Sequence, residues 1–159
     1  MRVVVLAVGS PRDRGRHLVR LIREYEDRAS RYFRLEAVEV PAATGLGGSP
    51  PTARRREAEH LRHRVPSGLD TWALTREGEE LGSRDLARAL ADMATYGHPG
   101  VAFLIGGAYG LDEDLVRDCN RRLALSRMTL PHDLARLVLT EQLYRAGTIL
   151  RGEPYHKGG

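Results

Sequence analysis

The chain has 159 residues, 42% of them apolar and 29% charged, and a formal net charge of +4. That is the composition of a globular protein long enough to bury most of the surface its unfolded chain exposes. No apolar stretch approaches the ~20 residues that cross a bilayer, and a lone Cys119 excludes a disulfide framework, so a reducing cytoplasm is the expected compartment. In chain order, Met1–Val8 carries one charge and no small-residue cleavage site, which predicts a first strand over Val3–Val8, not a signal peptide. Gly9-Ser10-Pro11 is a turn. A helix is expected from about Arg16 to Arg31, with Leu18, Leu21, Ile22 and Tyr25 on one face. Leu35–Val40, interrupted by Glu36 and Glu39, predicts a half-exposed second strand. Residues 41–51, with three Gly and three Pro, predict a flexible loop, followed by a charged helix over 53–64 capped by Thr52.

Thr71–Thr75 is expected as a short third strand, Arg76–Gly82 as a polar loop, and Ser83 as the cap of a helix to about Tyr96 burying Leu86, Leu90 and Met93. Val101–Ile105 is the fourth strand. Asp112-Glu113-Asp114 supplies acids suited to a helix N-terminus, so residues 112–123 are expected to be helical, with an inert Cys119 inside. An apolar loop, Leu125–Leu130, then meets Pro131-His132 and a long amphipathic helix. Alternating β and α elements imply one α/β domain over residues 1–159, its mainly parallel sheet covered by helices on both faces.

Charge is distributed unevenly. Residues 1–64 hold 14 Arg against 8 acids, whereas residues 65–159 hold 11 basic residues against 13 acids. A basic half points to a polyanionic partner such as RNA. A compositional bias toward arginine is the alternative, since 24 of the 25 basic residues are Arg.

Several motifs carry two readings each. Gly106-Gly107-Ala108-Tyr109-Gly110 follows a strand, where ligands of open α/β sheets bind; alternatively it is a tight turn without a ligand. It lacks the position and spacing of a dinucleotide fingerprint, so a nucleotide-binding oxidoreductase is not supported. His132 is a helix-start residue or a catalyst. His60 and His63 share a helix face, but no third ligand is spaced to complete a metal site. Glu141 and Arg145 form an i, i+4 ion pair or a substrate contact. Arg54-Arg55-Arg56 with Arg62 and Arg64 is a solvated face or a phosphate contact. Tyr155-His156-Lys157 is a frayed tail or the source of the chemistry.

Four ordered motifs carry a resemblance. Leu-Ile-Gly-Gly-x-x-Gly-Leu at 104–111, Leu-Ser-x-Met-Thr-Leu-Pro-His at 125–132, Glu-Gln-Leu-Tyr-Arg-Ala at 141–146 and Pro-Tyr-His-Lys at 154–157 resemble the bacterial ribosomal RNA large subunit methyltransferase H family. These are pseudouridine N3-methyltransferases of the SPOUT class. The likeness spans the whole chain and is strongest over 101–157. It implies a deep trefoil knot over about 101–157, S-adenosylmethionine as cofactor, 23S rRNA within the assembled ribosome as substrate, a homodimer, and no membrane or metal. By the same resemblance Leu74, Gly106, Leu125, Ser126, Arg127, Met128, Thr129 and Leu130 form the cofactor pocket. His156, Arg145 and Tyr155 act on the substrate, with the tail of one chain completing its partner's site.

One segment departs from the pattern. Family members follow the strand-three leucine with an acid and then Gly-Lys; this chain has Leu74-Thr75-Arg76-Glu77-Gly78-Glu79, with an acid in place of the base. That departure is the support for a rival reading, a non-catalytic ribosome-associated protein that keeps the fold.

Overall fold

The computed structural model describes residues 1–10, 15–43 and 47–156. Five strands, β1 (Arg2–Val8), β2 (Arg34–Val40), β3 (Asp70–Glu80), β4 (Gly100–Ile105) and β5 (Arg121–Ala124), form one sheet in the order β2-β1-β4-β3-β5 with every pair parallel. The uninterrupted apolar runs take the inner positions: all six residues of β4 are buried. Successive side chains point to opposite faces. Val3, Val5, Val101 and Phe103 therefore meet α3 (Ser83–Thr95) and α5 (His132–Leu150), with α1 (Arg16–Ala29) packed on α5. Val4, Leu6, Ala102 and Leu104 meet α2 (Pro50–Arg64) and the short α4 (Glu113–Asp118) on the other side. β2 lies at one edge, which is why its Glu36 and Glu39 are tolerated.

The structure corrects several local expectations. β3 does not stop at Thr75 but runs on to Glu80, alongside a fifth strand that replaces the end of the expected 112–123 helix. A register shift separates Leu74 from Glu79, both of which pair with Leu123. Gly78 sits in that bulge, where a Cβ would lie 2.6 Å from the Leu123 carbonyl carbon. Cys119 ends α4, half-buried, with its thiol donating to the Leu115 carbonyl and its pKa pushed up by burial. The N-cap of α2 is Ser49, not Thr52, because Pro50 and Pro51 fit the first helical turn, where a missing N–H costs nothing; the expected 41–51 loop therefore ends earlier, and its residues 44–46 lie outside the described ones. Gly82, not Ser83, caps α3, and the Ser83 hydroxyl donates to Gln142 instead. On α1, Ile22 is buried but Leu21 is 43% exposed, a narrower apolar face than expected, and the helix ends at Ala29, before Arg31.

Candidate functional site

The site grows from the point where β4 runs out of apolar residues. After Ile105 the chain folds over Gly106 into a turn closed by Gly110 N–H donating to the Gly107 carbonyl at 3.0 Å. A Cβ on Gly106 would meet the Gly110 carbonyl carbon at 2.5 Å and the Leu111 nitrogen at 2.6 Å. The glycine is thus demanded by the turn's own backbone. Gly106→Val should keep the protein folded at a cost of about 1–3 kcal/mol from local overpacking. It should displace the 106–111 turn and weaken binding of the S-adenosylmethionine that the resemblance implies by about tenfold or more in calorimetry, the equivalent of about 1.4 kcal/mol; undiminished affinity would place that ligand elsewhere.

Two neighbouring cavities that share lining residues open at this end of the sheet. One is a narrow slot of about 90 Å³ between Leu74, Leu123, Leu125, Ser126, Met128 and Leu130. The other is a cleft of about 860 Å³ beside the 105–111 turn, sharing Leu74, Thr75, Arg76, Leu130 and Ala135 with the slot. The loop after β5 is pinned across them: Ser126 Oγ accepts from Met128 N–H at 3.0 Å, Arg76 donates to Thr129 Oγ1 at 3.2 Å, and Arg127 pairs with Glu80 at 3.3 Å. The slot's apolar walls and polar edge suit part of an adenosine; its volume lies below the ~300 Å³ of a whole ligand pocket, so a complete cofactor would extend into the adjoining cleft. At the junction of slot and cleft the buried Thr75 hydroxyl has no partner, a polar atom ready for a ligand.

Of the residues expected in a cofactor pocket, Leu74, Leu125, Ser126, Met128 and Leu130 line the slot, and Gly106 and Thr129 line the cleft. Arg127 lines neither; its side chain is 86% exposed and engaged with Glu80. The residues expected to act on substrate lie apart. Arg145 donates twice to Glu141, at 3.0 and 2.6 Å, and covers the Tyr155 ring at 4.9 Å. Tyr155 is half-buried, its hydroxyl donating to Glu141 at 3.1 Å and its ring 4.5 Å from that of Tyr144. Neither Arg145 nor Tyr155 lines the slot or the cleft. His156 belongs to a 3-10 turn over Pro154–His156, and Lys157 lies outside the described residues.

Burial, then the hydrogen bonds to Tyr25 and Glu141, push the Tyr155 phenol well above its ordinary range; its hydrogen bond to Glu141 raises Arg145 as well. Both stay protonated donors near neutral pH.

His132, at the start of α5, lines the cleft and sits 3.2 Å from Asp133. Sequence reasoning missed Arg76, Arg117 and Arg122, which join Arg54 on the cleft wall, and it missed Glu57. Glu57 is 2% exposed, accepts from Ala43 N–H at 2.9 Å and lies behind Gly107. Spread over separate elements, these residues leave no spacing signal.

A parallel α/β sheet with adjoining cavities between the glycine turn and the loop after β5 defines the class: residues 1–156 match the family described as predicted SPOUT methyltransferase. The chain is 46% identical over 157 residues to the ribosomal RNA large subunit methyltransferase H of Gemmatimonas aurantiaca, covering 99% of this chain and all of that protein. Proteins of the same name from Anaeromyxobacter dehalogenans and Listeria monocytogenes are 45% and 38% identical, each again over 99% of this chain and their full length. The chain belongs to this family of SPOUT methyltransferases.

Proposed function

We propose that the protein is an S-adenosylmethionine-dependent methyltransferase that modifies N3 of a pseudouridine in large-subunit rRNA, acting as a cytoplasmic homodimer on the assembled ribosome. The whole chain serves as one domain, knotted over about residues 101–157 as the family resemblance implies. The observation that carries this reading is the convergence of Leu74, Leu125, Ser126, Met128 and Leu130 on one slot that shares Leu74 and Leu130 with the cleft lined by Gly106. S-adenosylmethionine, when bound there, supplies an electrophilic methyl group.

The chain's own residues must position the acceptor and manage its proton. The imide N3 has to lose that proton, and negative charge then gathers on its flanking carbonyl oxygens. Arg145 and Tyr155, both held protonated, are donors for such an oxygen. His156 is the residue for taking the proton or orienting the base. Within one chain, Arg145 lies ten residues beyond cleft-lining Ala135 on α5, about 15 Å along the helix axis. That separation supports a site completed between two copies, the tail of one reaching the cleft of the other.

The rival reading, a non-catalytic protein, rested on residues 75–79. Those acids are engaged structurally: Glu79 holds Arg121, which stacks on Trp72 at 4.6 Å, and Glu77 faces Arg76. The slot stays open beside them.

Arg145→Ala separates substrate work from stability. An i, i+4 pair contributes only about 0.3–0.5 kcal/mol, and Glu141 keeps its hydrogen bonds from Tyr155 and Gln142. Methylation should fall by about 10²-fold or more, with cofactor affinity unchanged in calorimetry. Wild-type turnover would return Arg145 to an ordinary helix pair, and absence of any S-adenosylmethionine binding by the wild-type chain would overturn the enzyme reading.

A further inference from the structure

The cleft is far larger than the slot and differs from it in chemistry. Its wall carries four arginines, Arg54, Arg76, Arg117 and Arg122, against two acids, Glu77 and Glu113. These arginines come from α2, β3, α4 and β5, so the fold gathers them from four separate elements. Two are already committed: Arg76 to Glu77 and Thr129, and Arg117 to Asp114.

Arg54 and Arg122 have no ion pair among the described residues. The Nε–H of Arg54 is buried without an acceptor, a state that is unfavourable until one arrives. Strand alternation separates Arg122 from its neighbour. Arg121 lies against Trp72 and Glu79, while Arg122 faces the cleft. The rest of the arginine run on α2 goes elsewhere: Arg55, Arg56 and Arg64 are exposed and line neither cavity, and Arg62 pairs with Asp118 at 2.8 Å. On the same cleft, Tyr109 is 46% exposed and offers an aromatic face on which an unstacked base can rest.

Guanidinium groups with free donors beside an exposed ring match a nucleic-acid strand, with its phosphates on the donors and a base on the ring. We propose that Arg54 and Arg122 hold backbone phosphates of the RNA strand entering the cleft, a phosphodiester site separate from the adenosine slot. This inference rests on the RNA-methyltransferase reading above.

The test uses the full chain carrying Arg54→Gln and Arg122→Gln together, with assembled ribosomes that lack the modification as probe. Each lost phosphate contact lowers the slope of log affinity against log salt by about 0.7–0.9, so the double variant should be shallower by about 1.4–1.8. Affinity for S-adenosylmethionine should not change. Arg54→Lys with Arg122→Lys, which keeps both charges, should hold the wild-type slope. An unchanged slope in the glutamine variant overturns the proposal. So does a loss of cofactor affinity, which would assign the arginines to the cofactor's carboxylate. Should the double variant not fold, Arg122→Gln alone, at an exposed position, should lose about 0.7–0.9 of slope, and no loss would overturn the assignment. Failure of the wild-type chain to bind assembled ribosomes would count against the function, not the phosphate site. The same salt series on a single-stranded oligoribonucleotide then decides the site: a slope difference sustains it and none overturns it.

Discussion

Deleting Tyr155–Gly159 is expected to lower methyl transfer about 10²–10⁴-fold, the range lost with a positioned acid–base group, while S-adenosylmethionine binding survives. Tyr155 lines neither the slot nor the cleft of its own chain, so its loss gives cofactor affinity no reason to move. Sequence reasoning treats the tail as dispensable to the fold, but Tyr155 is half-buried against Tyr144, Glu141 and Arg145. Losing one aromatic contact and its hydrogen bonds should therefore cost roughly 1–3 kcal/mol, seen as a modest drop in Tm. Tyr155→Phe sharpens the result, since it keeps the ring and removes only the donor. A truncated protein that methylates at the normal rate would show the tail to be passive.

Arg136→Ala should produce the largest loss of stability. Arg136 is 6% exposed and spans three elements, donating to Glu26 on α1 at 2.8 Å and to Glu39 on β2 at 2.9 Å. Burial pushes the Glu26 carboxyl above its ordinary value, and the neighbouring guanidinium offsets part of that rise. A carboxyl raised by folding contributes stability below its unfolded pKa and loses it as pH climbs through the folded value. At neutral pH the ionised Glu26 is consequently a cost that Arg136 reduces. Removing Arg136 strands that charge, and breaking a buried pair costs about 3–5 kcal/mol. In a chain of this size that is a fall in Tm of roughly 6–20 °C. The deficit should narrow as pH falls and Glu26 takes up a proton. Thermal melts of variant and wild type across pH 4–8 measure both effects; a deficit that widens toward acid would contradict this account of the triad.

Neither Arg136 nor its partners can be found by reading along the chain, because they lie 110 and 97 residues apart. The inner strands were legible for the opposite reason: Val3–Val8 and Val101–Ile105 are buried on both faces, so their sequence is continuously apolar. β5 was not. Four residues beginning Arg121-Arg122 look like the tail of the acidic-capped helix before them, and only pairing with β3 makes them a strand. The extension of β3 over 76–80 is hidden for a related reason, since its charged side chains find Arg121 and Arg127 across the edge. At the candidate site the glycine turn was readable from its residues, and the slot-forming loop from a family resemblance. The arginine cleft was readable from neither, because it exists only once four elements meet.

As proposed above, this chain places one methyl group on a pseudouridine of large-subunit rRNA. The direct measurement is incubation of the purified protein and S-adenosylmethionine with ribosomes from a strain lacking the corresponding enzyme, followed by mass spectrometry of the digested rRNA. One added methyl is expected, on N3 of a pseudouridine in the large-subunit rRNA, absent when Arg145→Ala or the tail-deleted chain is used. Methyl-free rRNA with the intact protein, or a methyl on another class of nucleotide, would contradict it.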